Sequence, residues 1–280
     1  MVIMNRLRTA QRVAVVKALV EGNSIRSTVR LTGVAKNTVT KLLLEIGAVC
    51  AEYQDKTIKN LTSQRVQCDE IWSFCYAKAR AVKLDPSILE RNADAGDVWT
   101  WTAIDADTKL CITFAVGNRS SQMAYTVIGD LASRLSNRIQ LSTDNLRSYF
   151  GPVEKAFGVD VDYGLVEKIY SGSNHAGRYS PPECVGCKKV VMTGAPDPDH
   201  ISTSYVERVN LSMRMGMRRF TRLTNAFSRK VENHMAAVSL FFMYYNFGRV
   251  HQTLRVTPAM EAGLADHVWS VEEIVKLLGD

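Results

Sequence analysis

No stretch of this 280-residue sequence approaches 18 consecutive apolar residues, so a membrane-spanning helix is not expected. The basic opening MVIMNRLRTAQR is followed by no apolar segment of signal-peptide type. Prolines are few, seven in all, against 46% apolar residues. That balance excludes a disordered chain and leaves a folded one, long enough for a large core and a small one. The six cysteines, at 50, 68, 75, 111, 184 and 187, have no framework spacing. They fit reduced thiols in a cytoplasm, not a disulfide scaffold. Most unevenly missing is acid. Residues 1–48 carry Arg6, Arg8, Arg12, Lys17, Arg26, Arg30, Lys36 and Lys41 against Glu21 and Glu45 alone. Residues 202–230 carry seven basic residues and one carboxylate, Glu207. Two separate basic zones in a chain of net charge +7 make a polyanion the expected partner.

The first 48 residues read as helices. RTAQRVAVVKALVEG repeats apolar residues at helical spacing, SIRSTVRLTG follows, and a turn at Gly33 leads into a helix from about Lys36 to Ile46. Helix, glycine turn, helix is the outline of a helix-turn-helix. In it Lys36, Asn37, Thr38, Thr40 and Lys41 would face a DNA groove; a generic three-helix packing module is the bland alternative. Residues 49–63 lose the periodicity and read as a linker. RVQCDEIWSFCYAKA, GDVWTWTAIDADT and KLCITFAVG are then strand-like, and their short or moderate connections predict an antiparallel meander. A helix with a stripe at Ala124, Val127, Ile128 and Leu131 follows, then the strand RIQLSTD, a helical LRSYFGPVEKAFG and the strand-like VDVDYGLV. Residues 171–203, rich in proline and glycine, read as an irregular insertion or long loop. Helical patterns over 204–223 and 226–247 follow, and a last helix falls within 269–280.

The order β-β-β-α-β-α-β followed by helices is the ribonuclease-H-like pattern, a mixed α/β fold spanning 64–268 here. It places the first strand centrally with the fourth beside it, and lets a later helix cross the sheet. Asp69, Asp144 and Glu207 occupy those positions. Such a trio of oxygen donors suits Mg²⁺ or Mn²⁺, and two ions roughly 3.5–4 Å apart can activate a nucleophile and stabilise a leaving oxygen in one in-line step. Asp69 interrupts a strand, where aspartate is disfavoured and costly to bury unpaired. By the period of two, Glu70 points to the opposite face. Asp144 could also cap the next helix. Glu207 has no basic residue at i±3 or i±4, which argues against an exposed helical ion pair.

QCDEIWSFCYAKAR, LSTDNLRSYF and ERVNLSMRMGMRRFTRLTNAFSRKVENH resemble bacterial transposases of the insertion-sequence-1 type. The tail YYNFGRVHQTLRVTPAM looks like the ending of many insertion-sequence transposases. The resemblance covers roughly residues 65–262. It implies a DDE recombinase that frees the 3′ ends of its element and joins them to target DNA, with Asp69, Asp144 and Glu207 as catalytic and metal-binding residues. It also implies phosphate-contacting roles after the glutamate for Arg208, Asn210, Arg214 and Arg219, to which the basic pattern adds Arg218 and Arg222. Double-stranded DNA and further copies of the chain are the implied partners, and a nucleoid-associated cytoplasmic location follows. A non-catalytic helix-turn-helix regulator and a ribonuclease-H-like nuclease without strand transfer are the competing readings. Cys184-Val-Gly-Cys187 is half a zinc site by spacing, flanked by His175 and His200; a turn with two free thiols is the simpler reading.

Overall fold

The β-branched and aromatic run from residue 65 to 117 forms the expected meander in the computed structural model, which describes residues 7–170, 184–221 and 225–279. Strands β1 (Arg65–Cys75), β2 (Gly96–Asp105) and β3 (Cys111–Gly117) pair antiparallel in turn. Strands β4 (Ile139–Asp144) and β5 (Val161–Tyr170) join parallel on the other side of β1, and β6 (Cys184–Thr193) closes that side antiparallel to β5. The six-stranded order is β3-β2-β1-β4-β5-β6. This is a mixed α/β sheet with β1 inside and β4 beside it. Two short helices, α4 (Ala79–Leu84) and α5 (Ser87–Arg91), fill the β1–β2 connection.

Helix α6 (Ser121–Arg134) lies on one face of the sheet. Its stripe of Ala124, Val127, Ile128 and Leu131 is buried as expected, in one core cluster with Val66, Cys68, Trp101 and Ala103. Helix α7 (Phe150–Phe157) adds Val153 to the same layer. On the other face Val206, Val209 and Met213 of α8 (Ser204–Gly216) pack with Ile71 and with Val238 and Phe242 of α9 (Val231–Met243). Each such side chain contributes roughly 1.5–3 kcal/mol by leaving water. That anchors α8 firmly enough for its other flank to carry charge. The basic helix is shorter than its pattern suggests. It ends at Gly216, Met217 is extended, and Arg218–Phe220 form a separate 3-10 turn.

Three helices precede the sheet: α1 (Thr9–Val20), α2 (Ile25–Thr32) and α3 (Lys36–Thr57). Gly33, at φ 70°, takes the left-handed conformation that ends α2, a geometry glycine adopts without a Cβ penalty. The segment 49–63 departs from the expected linker: its first nine residues are the last turns of α3, and Cys50, Gln54, Ile58 and Leu61 are buried. Periodicity failed there because α3 is buried on more than one side, against α9 and against α1, α2 and α11. The chain closes with α10 (Pro258–Glu261) and α11 (Val271–Lys276), the latter lying against α1 with Lys17 Nζ 2.8 Å from Glu272 Oε1. The supposed insertion is structured from Cys184 to Thr193, where β6 adds an edge to the sheet; residues 171–183 lie outside the described residues. No helix among the described residues is long and apolar enough to cross a membrane.

Candidate metal centre and nucleic-acid interface

The parallel ladder between β1 and β4 spans only Arg65–Gln67 against Gln140–Ser142. Extending that register sets Asp69 level with Asp144, but by then the two strands have parted. The gap has a consequence that strand periodicity conceals. Asp69 faces α8, where Asn210 Nδ2 donates to its Oδ2 at 2.7 Å. Glu70 faces the α6 layer, where the Tyr149 hydroxyl donates to its Oε2 at 3.1 Å. Glu70 is thus on the opposite face, as expected, yet its carboxylate still reaches the site through the opening beside β1. Oxygens of Asp69, Glu70 and Asp144 lie within 4.8 Å of one another.

Glu207 is brought to the same neighbourhood by the way α8 begins. Gln67, two residues before Asp69 on the same face, accepts from the backbone N–H groups of Tyr205 and Val206 at 2.8 and 3.1 Å. Ser202 N donates to Ser142 Oγ on β4 at 3.3 Å. The helix start is therefore pinned across β1 and β4. Glu207 lies outside the 4.8 Å group. Its Oε1 accepts from Lys168 Nζ of β5 at 2.6 Å and from Thr203 Oγ1 at 2.5 Å. The missing helical partner is supplied from a neighbouring strand, which no i±4 count along α8 could find.

Burial, then the charge of Asp144, push the Asp69 carboxyl up to about 6, with Glu207 adding to the rise and Lys168 opposing it. Burial followed by Asp144 and Asp69 push Glu70 up to about 7 despite Arg119 alongside. Two buried oxygens close by have no hydrogen-bond partner. They are Asn210 Oδ1 and Thr102 Oγ1, the latter on the residue paired with Asp69 across β2. Crowded carboxylates held against their own repulsion, with orphaned oxygens beside them, are hard donors suited to a divalent cation. Asp144 also accepts from Leu146 N at 3.0 Å, so its turn-stabilising role coexists with its place in the cluster.

The other residues singled out in the sequence fall in three groups. Lys36, Asn37 and Lys41 are exposed at the start of α3, with Thr38 and Thr40 half-buried. Arg208, Arg214 and Arg218 are exposed beside the α8 layer. Asn210 is buried and engaged with Asp69, and Arg219 Nη1 turns inward to Ser228 Oγ at 2.6 Å. Burial lowers the Arg219 guanidinium to about 10, and burial with Arg219 nearby lowers His234 to about 3. His234 is thus a neutral core group between Ser73 and Ser228. Arg222 lies outside the described residues. Cys184 and Cys187 sit in strand β6 rather than a turn; His200 Nδ1 lies 2.7 Å from Asp197 Oδ2, and His175 is outside the described residues. Glu70, Arg119, Lys168 and Thr203 were missed. A second acid beside Asp69 within a strand was the one available signal.

The sheet and its acidic cluster define a mixed α/β protein with a candidate divalent-cation site at the β1–β4 opening. No protein-family model matches the chain, and no curated protein matches it. Among solved structures it is similar to the piggyBac transposase synaptic complex with hairpin DNA at a TM-score of 0.38 and 12% identity, covering 96% of this chain and 69% of that one. It is also similar to the Mos1 strand transfer complex at a TM-score of 0.29 and 11% identity, covering 84% and 76%. Likeness at these values carries no weight for the chemistry, which rests on the site itself.

Proposed function

We propose that the chain is a DDE-type DNA transposase that cleaves and joins DNA strands at the ends of a mobile element through a ribonuclease-H-like core. The observation that carries this reading is Asp69 and Asp144 on adjacent parallel strands, their oxygens in one group, under a helix bearing exposed arginines. Asp69, Asp144 and Glu207 would hold Mg²⁺ or Mn²⁺. When bound, two such ions supply a nucleophile at neutral pH and stabilise the departing oxygen. The chain's own part is positional. Asn210 fixes Asp69 Oδ2, Gln67 fixes the start of α8, and Lys168 and Thr203 hold Glu207 short of the cluster until a substrate or cation draws it in. Arg208, Arg214 and Arg218 would hold the phosphates. Residues 1–48 are read as the helix-turn-helix that recognises element ends, with Lys36, Asn37, Thr38, Thr40 and Lys41 toward the groove. Paired ends call for more than one copy of the chain.

The test uses the full chain on DNA carrying inverted-repeat ends, with and without Mg²⁺. Cleavage and joining are expected, and Asp144→Asn should abolish both while end binding persists. Glu207→Gln should slow strand transfer by on the order of a hundredfold or more; a change within twofold would remove Glu207 from the catalytic set. Cleavage without joining would leave a nuclease, and binding without either would leave a regulator.

The phosphate contacts have a separate signature. Arg208→Ala and Arg218→Ala should each reduce the slope of log affinity against log salt by about 0.9, measured by anisotropy on duplex DNA. An unchanged slope in either would take that arginine off the DNA.

A further inference from the structure

Arg119 enters the site from the connection between β3 and α6, where no sequence pattern marks it. Its Nε donates to Glu70 Oε1 at 2.7 Å, and its Nη2 lies 2.5 Å from the same oxygen. The same Nη2 stands 4.0 Å from Asp144 Oδ2, beyond hydrogen-bond length. The Trp99 ring supports the guanidinium from below at 4.6 Å. Among the described residues Arg119 is the one cation within 4.0 Å of any member of the Asp69–Glu70–Asp144 group.

An ordinary structural ion pair does not account for this asymmetry. The Glu70 side chain is 1% exposed and doubly held, while Arg119 is 39% exposed. The arginine is anchored at one carboxylate and only faces the other. Beside Asp69, the buried Asn210 leaves its Oδ1 without a partner although the residue is 5% exposed. The cluster thus sets three carboxyl groups and an unpartnered amide oxygen against a single guanidinium.

We propose that Arg119 is the built-in counter-ion of the acidic cluster. It balances Glu70 and Asp144 until a divalent cation takes Asp144, and Glu70 is the anchor that keeps the guanidinium at hand. This rests on the cluster's being a cation site, not on the DNA chemistry. Removal of the competitor should therefore tighten cation binding, whereas removal of a merely structural arginine would loosen it. Removal of Glu70 should release Arg119 onto Asp144 and weaken cation binding.

Mn²⁺ binding to the full chain without DNA, followed by the paramagnetic resonance of free Mn²⁺, tests this at low salt. The unaltered protein should bind Mn²⁺, and Arg119→Met should bind it roughly fivefold more tightly, the scale of a partly exposed charge pair. Glu70→Gln should weaken binding, and adding Arg119→Met should restore it; a role for Glu70 as a ligand alone would not be rescued. Mg²⁺ should shift the emission of Trp99, with the response absent from Trp99→Phe and Arg119→Met. Should Arg119→Met not fold, Arg119→Lys decides, since its point charge keeps the Glu70 pair and loses the reach toward Asp144. Binding no tighter in either variant overturns the proposal. No Mn²⁺ binding by the unaltered protein overturns the cation site itself.

Discussion

Asp69→Asn will lower the proposed Mg²⁺-dependent cleavage by on the order of a thousandfold, the worth of about 4 kcal/mol of transition-state stabilisation. At the same time it will make the cation-free protein more stable at neutral pH. The two effects share one cause. Asp69 is partly buried beside Asp144 and opposed by it, and its carboxyl is pushed up to about 6. A carboxyl whose folded pKa exceeds its unfolded value favours folding while protonated. That contribution is complete below pH 4 and is lost as pH rises through about 6. Asparagine carries no such loss and keeps a carbonyl for Asn210 to donate to. The stability difference between Asp69→Asn and the unaltered chain should therefore grow from pH 4 to pH 7, to roughly 3 kcal/mol. His234, neutral in the core, has the opposite pH dependence, but it is common to both proteins and cancels. Calorimetry across that range without Mg²⁺ measures the difference, and millimolar Mg²⁺ should shrink it by stabilising only the unaltered chain. A variant less stable at pH 7 would mean that Asp69 is a satisfied structural residue and not a strained ligand.

The sheet was legible because its signals are local. The strand-like runs of 65–117 and the stripe of α6 each specify an element without reference to the rest. Their order then places β1 and β4 together, and with them Asp69 and Asp144. What escaped depends on three-dimensional departures from those rules. Glu70 obeys the period of two and still joins the cluster, because the β1–β4 ladder stops at Gln67 and Ser142. Glu207 was singled out for lacking a helical partner, and its partner is Lys168, 39 residues away on β5. Arg119 is an isolated arginine in a loop, and only its contacts across the fold with Glu70, Asp144 and Trp99 give it a role. The β6 strand hid within a proline-rich stretch, because an exposed edge strand needs no alternation of buried and exposed residues.

The same contrast makes Gly47 a sensitive position outside the site. In an exposed helix, Gly→Ala stabilises by about 1 kcal/mol. Here a Cβ on Gly47 would lie 2.5 Å from Ala236 Cα and 2.6 Å from Ala236 O. Those are backbone atoms of α9 and cannot rotate aside. Gly47→Ala should therefore cost about 2–4 kcal/mol, and Gly47→Leu should prevent folding. The close crossing also lets Gln54 Nε2 bridge Cys50 O at 3.0 Å and Ser239 O at 3.2 Å, bonds lost if the helices separate. A chain in which residues 49–63 were a linker would respond differently: Gly47→Ala would raise the melting temperature by stabilising an independent helix. Thermal denaturation of the one variant thus separates the two arrangements. The functional consequence follows from α3 itself. Its first two turns carry Lys36, Asn37 and Lys41, and its later turns are wedged against α9, which shares one apolar cluster with the helix that covers Asp69. If those first turns read element ends, the distance from the DNA they grip to the carboxylates is set by one continuous helix. Gly47→Ala should then impair cleavage of paired ends more than nonspecific duplex binding.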